Sequence, residues 1–397
     1  MKSIGVCFLI FTILSSCSGS KENTETLAME KNWQLIKVDS IQIPFLGTPR
    51  LDDVDPKNRR LVFMQSGQNE DEVFVANFDG EILHSFGANG NTLVGRLGLM
   101  APLKFDSEGR SLLAFGFPHI KKISLDGEQV DVLYTGNTAY QNSFPRPSNE
   151  LVASDGKIFY NNHMHDQEFR SDREEFYKKI SLIGFVDLEK NERINFLKFP
   201  NESMFVSGRI FPAFSWDSHF AFSDEHLNVV FEGEPSIFVF ESQSPFSFIK
   251  KIDLNLQEFQ YYKGVQEGEQ VADFMEHMRI MGKMSSIKIL DNKILVFYTS
   301  GFSSQQLKTW ETASSANERN DMINRFRKET PPRIQVLDSE YNLLADFAIP
   351  SHIIPSGIFE RDGFLWAGKS NPDEEEDFFT IYKFILDQVE SQVTDKN

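Results

Sequence analysis

Cationic side chains recur in six short segments rich in Gly and Pro. FLGTPR, TLVGRLG, NSFPRP, FVSGRIF, RIMGKM and IPSHIIP place Arg50, Arg96, Arg146, Arg209, Arg279 with Lys283, and His352 at similar points. A guanidinium fork matches carboxylate, sulfate or phosphate, so a set of these groups gathered in one place would receive an anionic ligand. Each arginine could instead be taken up by a neighbouring carboxylate, as Arg50 by Asp52 or Asp53, and serve as structural glue. The chain has 58 Asp and Glu against 40 Lys and Arg, a formal charge of -18. Such an acidic surface repels phosphate backbones, so no nucleic-acid partner is expected, and a cationic ring within it calls for something anionic to face.

Other chemistry is weakly marked. His163-Met164-His165-Asp166 puts two imidazoles on one face of an extended segment, but a pair without a fixed third ligand is equally a loop-packing feature. The acidic runs at 69–72 and 373–377 lack the alternating oxygen-ligand spacing of a calcium loop and read as solvated surface. No G-x-S-x-G elbow, H-E-x-x-H helix or phosphate-cradling glycine loop occurs. The sequence therefore implies no metal, no cofactor and no named catalytic residue.

The elements that must position these cations form a repeat. KFDSEGRSLLAFG (104–116) is an apolar step, a polar turn at Asp106 to Gly109, and a strand-forming run; the same grammar returns at 52–63, 151–160, 221–231, 288–297 and 358–366. A second hairpin follows most copies, as in VFVANFDGEILHSFG and RIQVLDSEYNLLADFAI. Two hairpins make four strands, and turn positions 55, 106, 155, 224, 291 and 362 are separated by 51, 49, 69, 67 and 71 residues. Four-stranded units at such periods predict an all-β, six-bladed β-propeller. The sixth unit ends one strand short, after FFTIYKFIL (378–386), while WQLIKVDSIQIPF (33–45) is an orphan strand before the first unit. Lending that strand to the last blade closes the ring and hides two sheet edges. Two stacked β-sandwiches would need a linker that the sequence does not contain.

The pattern resembles the six-bladed propellers of the NHL and TolB-like group, and especially lipid-anchored propeller lipoproteins that carry a domain of unknown function. The resemblance spans about residues 33–387 and rests on blade grammar, so it implies fold rather than activity. Six-bladed sialidases also bind a carboxylate through arginines, but their Asp-box turn is not matched by Ser215-Trp216-Asp217-Ser218.

In a four-stranded blade the first-to-second and third-to-fourth turns share one face, and the second-to-third loops and blade connections share the other. The first class consists of tight turns. The long insertions 162–179, 255–283 and 300–332 all belong to the second, so elaboration is one-sided, as befits recognition loops on a rigid scaffold. Val271, Phe274, Met275 and Met278 form one short amphipathic stripe, and Met322, Ile323 and Phe326 another; both read as helices packed on the propeller rim.

At the N-terminus, Lys2 precedes an apolar run from Ile4 to Leu14 that is too short to span a bilayer and ends on Leu14-Ser15-Ser16-Cys17. This arrangement resembles the lipobox of bacterial lipoproteins. It implies a signal peptide over 1–16, lipidation of Cys17, a polar tether over 17–32, the propeller over 33–387 and a polar tail over 388–397. With Cys7 removed, the mature chain has no cysteine pair to form a disulfide. Ser18 after the cysteine implies the outer membrane. The expected function is a lipid-anchored binding or scaffold protein that takes a protein, peptide or anionic glycan on its elaborated face; the alternative is a propeller hydrolase or lyase acting on an anionic sugar or lactone. Replacing Cys17 by Ala should move the chain from the membrane fraction to the soluble fraction. Continued sedimentation as an integral membrane protein would contradict the anchor.

Overall fold

A computed structural model describes residues 31–65, 71–87, 101–116, 119–135, 151–154, 156–162, 170–213, 215–269, 279–350, 352–369 and 376–390. Six antiparallel four-stranded sheets form the blades of a β-propeller. Blade 1 is built from Arg50–Asp55, Arg60–Gln65, Glu72–Asn77 and Ile82–Gly87; blade 2 from Lys104–Phe105, Ser111–Phe115, His119–Ser124 and Gln129–Thr135. Blade 3 comprises Leu151–Ser154, Lys157–Asn161, Ile183–Asp187 and Glu192–Leu197, and blade 4 Ser218–Phe222, His226–Phe231, Glu234–Glu241 and Phe248–Asp253. Blade 5 comprises Met281–Leu290, Lys293–Gly301, Arg333–Leu337 and Leu343–Ala348. Blade 6 has Phe359–Arg361, Phe364–Gly368 and Phe378–Glu390, with Lys31–Pro44 as its outer strand. No helix among the described residues is long and apolar enough to cross a membrane.

Burial follows strand position. Middle strands such as Leu61–Met64 are buried on both faces because each blade is covered by its neighbours, whereas the outer strand Ile82–Gly87 of the same blade is largely exposed. Turn chemistry fixes the hairpins. Asp291-Asn292 and Asp362-Gly363 carry positive φ at both central positions, the two-residue geometry that suits a twisted hairpin. Phenylalanines fill the interior: Phe205, Phe231 and Phe238 are fully buried in one cluster that joins blades 3 and 4 to the loops above them.

The ring is closed as the orphan strand predicts. Lys31–Pro44 pairs with the last strand from Lys31 opposite Glu390 to Pro44 opposite Phe378, with Ile41, Ile43, Phe379 and Ile381 buried between blades 6 and 1. The last strand runs to Glu390, past the boundary at 386 that polarity suggests. Asp387 and Gln388 stay in the ladder because they pair with Gln34 and Trp33 on the outermost edge, where polar side chains face water.

A polar network reinforces the same seam. Asp53 has a fully buried side chain; it accepts from Arg361 of blade 6 at 3.0 and 2.8 Å and from the backbone N–H of Phe105 in blade 2 at 2.9 Å. Asp52 accepts from Leu103 N–H at 3.0 Å and from Arg50 at 2.7 Å. Two adjacent carboxylates thus tie three blades together.

Two outcomes test this seam. A chain lacking residues 31–44 should aggregate or unfold without cooperativity, because two sheet edges are left open; a soluble, cooperatively folding truncation would contradict closure. Asp53→Ala should cost about 3 kcal/mol in urea unfolding, since it strands Arg361 and the Phe105 N–H together. A loss within error of zero would remove Asp53 from the seam.

Candidate functional site

The described parts of the three long insertions lie on the face of the second-to-third loops and blade connections. The insertion in blade 3 contains the helix Glu174–Lys179, and that in blade 5 contains the helices Ser304–Glu311 and Ala316–Glu329. Ser303 caps the first helix of blade 5 in a reciprocal arrangement with Gln306, and Ser315 caps the second by accepting from Glu318 N–H. Phe302, Trp310, Ile323 and Phe326 bury one face of this pair against Ile280, which is how the Met322, Ile323 and Phe326 stripe is spent. The stripe over 271–278 lies outside the described residues.

Neighbouring insertions interlock into a second layer above blades 3 to 5. Arg173 pairs with Glu267 at 2.7 Å, and the other oxygen of Glu267 accepts from Glu174 N–H. Ile210 and Val265 exchange backbone hydrogen bonds at 2.8 and 3.0 Å. The fully buried Tyr177 hydroxyl accepts from Phe211 N–H at 2.9 Å, and burial pushes its pKa above the ordinary phenol value. Gly264, at φ +74°, allows the approach: a Cβ there would lie 2.8 Å from Arg209 Cβ and 2.9 Å from the Phe211 ring. Below this layer, the buried carboxylate of Glu234 accepts from Ser203 at 2.7 Å, Met204 N–H at 3.1 Å and Lys251 at 2.9 Å, fixing the 199–208 loop to blade 4. These loops therefore form a platform with its own core.

The expected cations have different partners. Arg50 is held by Asp52, so at this position the glue alternative is realised. Arg209 donates to the carbonyls of Lys263 and Gly264 at 3.4 and 3.0 Å. Arg279 donates to Oδ1 of Asn320 at 2.8 Å. Lys283 lines a small cavity of about 30 Å³ with Ser215 and Glu232. His352 stacks edge-on to Tyr382, its ring centroid 5.3 Å away; burial, then Lys369 and Lys37, lower its pKa, while Glu376 opposes them. Among the described residues these five groups make no hydrogen bond or ion pair with one another. Arg96, Arg146, His163, His165 and Cys17 lie outside the described residues, and no group of three or more His, Cys, Asp or Glu is placed to hold a metal within them.

The structure adds a cation that the sequence pattern passes over. Arg327, on the helix Ala316–Glu329, stands close enough to Arg279 that, after desolvation, the charge of Arg279 lowers its pKa. Among the described residues neither guanidinium has a carboxylate within ion-pair distance. The basic run Arg325, Arg327 and Lys328 near the end of that helix was the available signal, and it reads as an ordinary favourable helix C-terminus.

No protein-family model matches the sequence, and no curated protein is significantly similar to it. Solved structures share the shape. A member of the DUF4221 family from Bacteroides vulgatus superposes with a TM-score of 0.60 at 13% identity, over 90% of this chain and 99% of that one. A protein of Bacteroides fragilis gives 0.50 at 8% identity, over 89% and 95%. A periplasmic gluconolactonase of Pseudomonas aeruginosa gives 0.38 at 11% identity, over 84% and 86%, too low a likeness to bear on chemistry. At these identities the likeness shows the fold: the chain has the β-propeller architecture of the DUF4221 structure.

Proposed function

We propose that the chain is a lipid-anchored β-propeller of the cell envelope that binds an anionic protein, peptide or glycan on its loop-elaborated face. The observation that carries this reading is the pair Arg279 and Arg327. Two guanidiniums on the platform of a chain with formal charge -18 stand near enough for the charge of one to lower the pKa of the other, one spending a nitrogen on a neutral amide and neither within ion-pair distance of a carboxylate among the described residues. Their mutual repulsion is relieved when an anion bridges them. Arg209 and, by their place in the sequence, Arg96 and Arg146 belong to connections of the same face. Rigid loops suit the role, because the ordering cost of binding is already met in folding.

Polygalacturonate and poly-glutamate, compared with neutral dextran, provide the test on the full chain. The anionic polymers should bind and dextran should not, with affinity falling as salt rises. Arg279→Ala with Arg327→Ala should weaken binding roughly tenfold or more while leaving the unfolding midpoint within a few degrees. Equal binding of dextran, or polyanion affinity unchanged in the double variant, would overturn the proposal.

A further inference from the structure

A cavity of about 500 Å³ fills the central channel and reaches the opposite face, that of the tight turns. All six inner strands contribute to its wall, and the wall is divided. Blades 3 and 4 line it with Leu151, Val152, Ala153, Phe220, Ala221 and Phe222. The other blades add Lys104 of blade 2, Lys288 of blade 5 and Arg361 of blade 6 among apolar residues such as Ile287 and Phe359.

The charge in this wall is asymmetric. Lys104 and Arg361 line the cavity, and Asp53, which pairs with both, is sealed behind them with no exposed side-chain surface, while Glu360 and Asp362 add negative charge beside Arg361. Arg361 donates twice to Asp53, and Lys104 Nζ is 3.9 Å from the same carboxylate and 3.1 Å from the carbonyl of Asp52. Asp53 is thus shared by two cations, with Asp52 also acting on Lys104. Lys104 also lies 4.9 Å from the Phe359 ring centroid, so its ammonium sits between an aromatic face and the open cavity. Burial lowers the Lys104 pKa; Asp53 and Asp52 resist, and Arg361 and Lys288 lower it further.

We propose that the central channel binds a small monocarboxylate with an apolar body, its carboxylate meeting Lys104 and Arg361 and its apolar part lying against blades 3 and 4. The volume suits a small organic molecule, and an apolar pocket with a few convergent polar groups is the ordinary form of such a site. Single charge is selected by the mouth. Asp55, Asp106, Glu360 and Asp362, against the single cation Lys57, line the outer part of the channel. Asp55 accepts from Asn58, Glu360 from Gly363 N–H, and Asp106 from Ser111 and Lys122. Burial alone would raise the Asp106 carboxyl, but the hydrogen bonds from Ser111 and Lys122 outweigh it and hold its pKa at about 2. This acidic rim repels polyanions, and a monoanion passes it at far smaller electrostatic cost. The site is independent of the platform on the opposite face.

Titration calorimetry on the full chain with 4-phenylbutyrate, octanoate, their two amides and citrate tests the proposal. At least one of the carboxylates should bind, its amide should bind roughly tenfold more weakly or worse, and citrate should not bind. Ala153→Trp adds bulk on the apolar side of the channel and should weaken binding roughly tenfold with the fold intact by circular dichroism. Lys104→Met should do the same if it folds. Arg279→Ala with Arg327→Ala should leave carboxylate binding unchanged, which separates this site from the platform. No binding by either carboxylate, equal binding of acid and amide, or affinity unchanged by Ala153→Trp would overturn the assignment.

Discussion

A ring of sheets exists only if the two ends of the chain are joined, and here they meet in one blade. The strand Lys31–Pro44 hydrogen-bonds along the last strand Phe378–Glu390, bringing together positions 378 - 44 = 334 residues apart. Closing a loop of roughly that length costs on the order of 5 kcal/mol in chain entropy. The ladder offsets that cost through its backbone pairing and through the apolar contacts of Ile41, Ile43, Phe379 and Ile381 with blade 1. Asp53 stands at the same seam, bonded to Arg361 across it and to Phe105 N–H on the other side, so the closing junction of the ring has a second, polar fastening.

From closure follows the division of the molecule into two unlike faces. Once blades are locked side by side, their tight turns gather at one end and their long loops at the other. The long loops of blades 3 to 5 then have a fixed neighbour to pack on, and Arg173–Glu267, Tyr177–Phe211 and Ile210–Val265 join them to one another. The channel owes its shape to the same constraint. Lys104 and Arg361 come from blades 2 and 6, which lie on either side of blade 1 and converge only because the ring closes around Asp53.

Local physics made much of this legible. Asp-Gly and Asp-Asn at Asp362 and Asp291 announce turns because short polar residues tolerate positive φ, and the period of those turns gives the blades. The missing sixth strand and the orphan N-terminal strand are one fact seen from both ends. Other features are non-local and leave no mark in a window of sequence. Asp53 finds Arg361 at a separation of 308 residues, so the arginine that matters at that seam was not in the repeated series. Arg50, which was in the series, is taken by Asp52 two residues away. The channel wall combines short stretches from every blade, and Arg327 comes near Arg279 only through the packing of a helix onto Ile280 and Phe302. Even the end of the last strand was hidden, since polar residues on an outer edge look like a tail.

Native-state hydrogen exchange along the closing strand tests closure most directly. If Lys31–Pro44 is integral to the ring, the amides of Ile41 and Ile43 and of their partners Ile381 and Phe379 should exchange only through global unfolding. They should then share one free energy and one denaturant dependence with core amides such as Val62 and Val229. Exchange of the closing strand through a separate low-energy opening, with the other blades still protected, would contradict it.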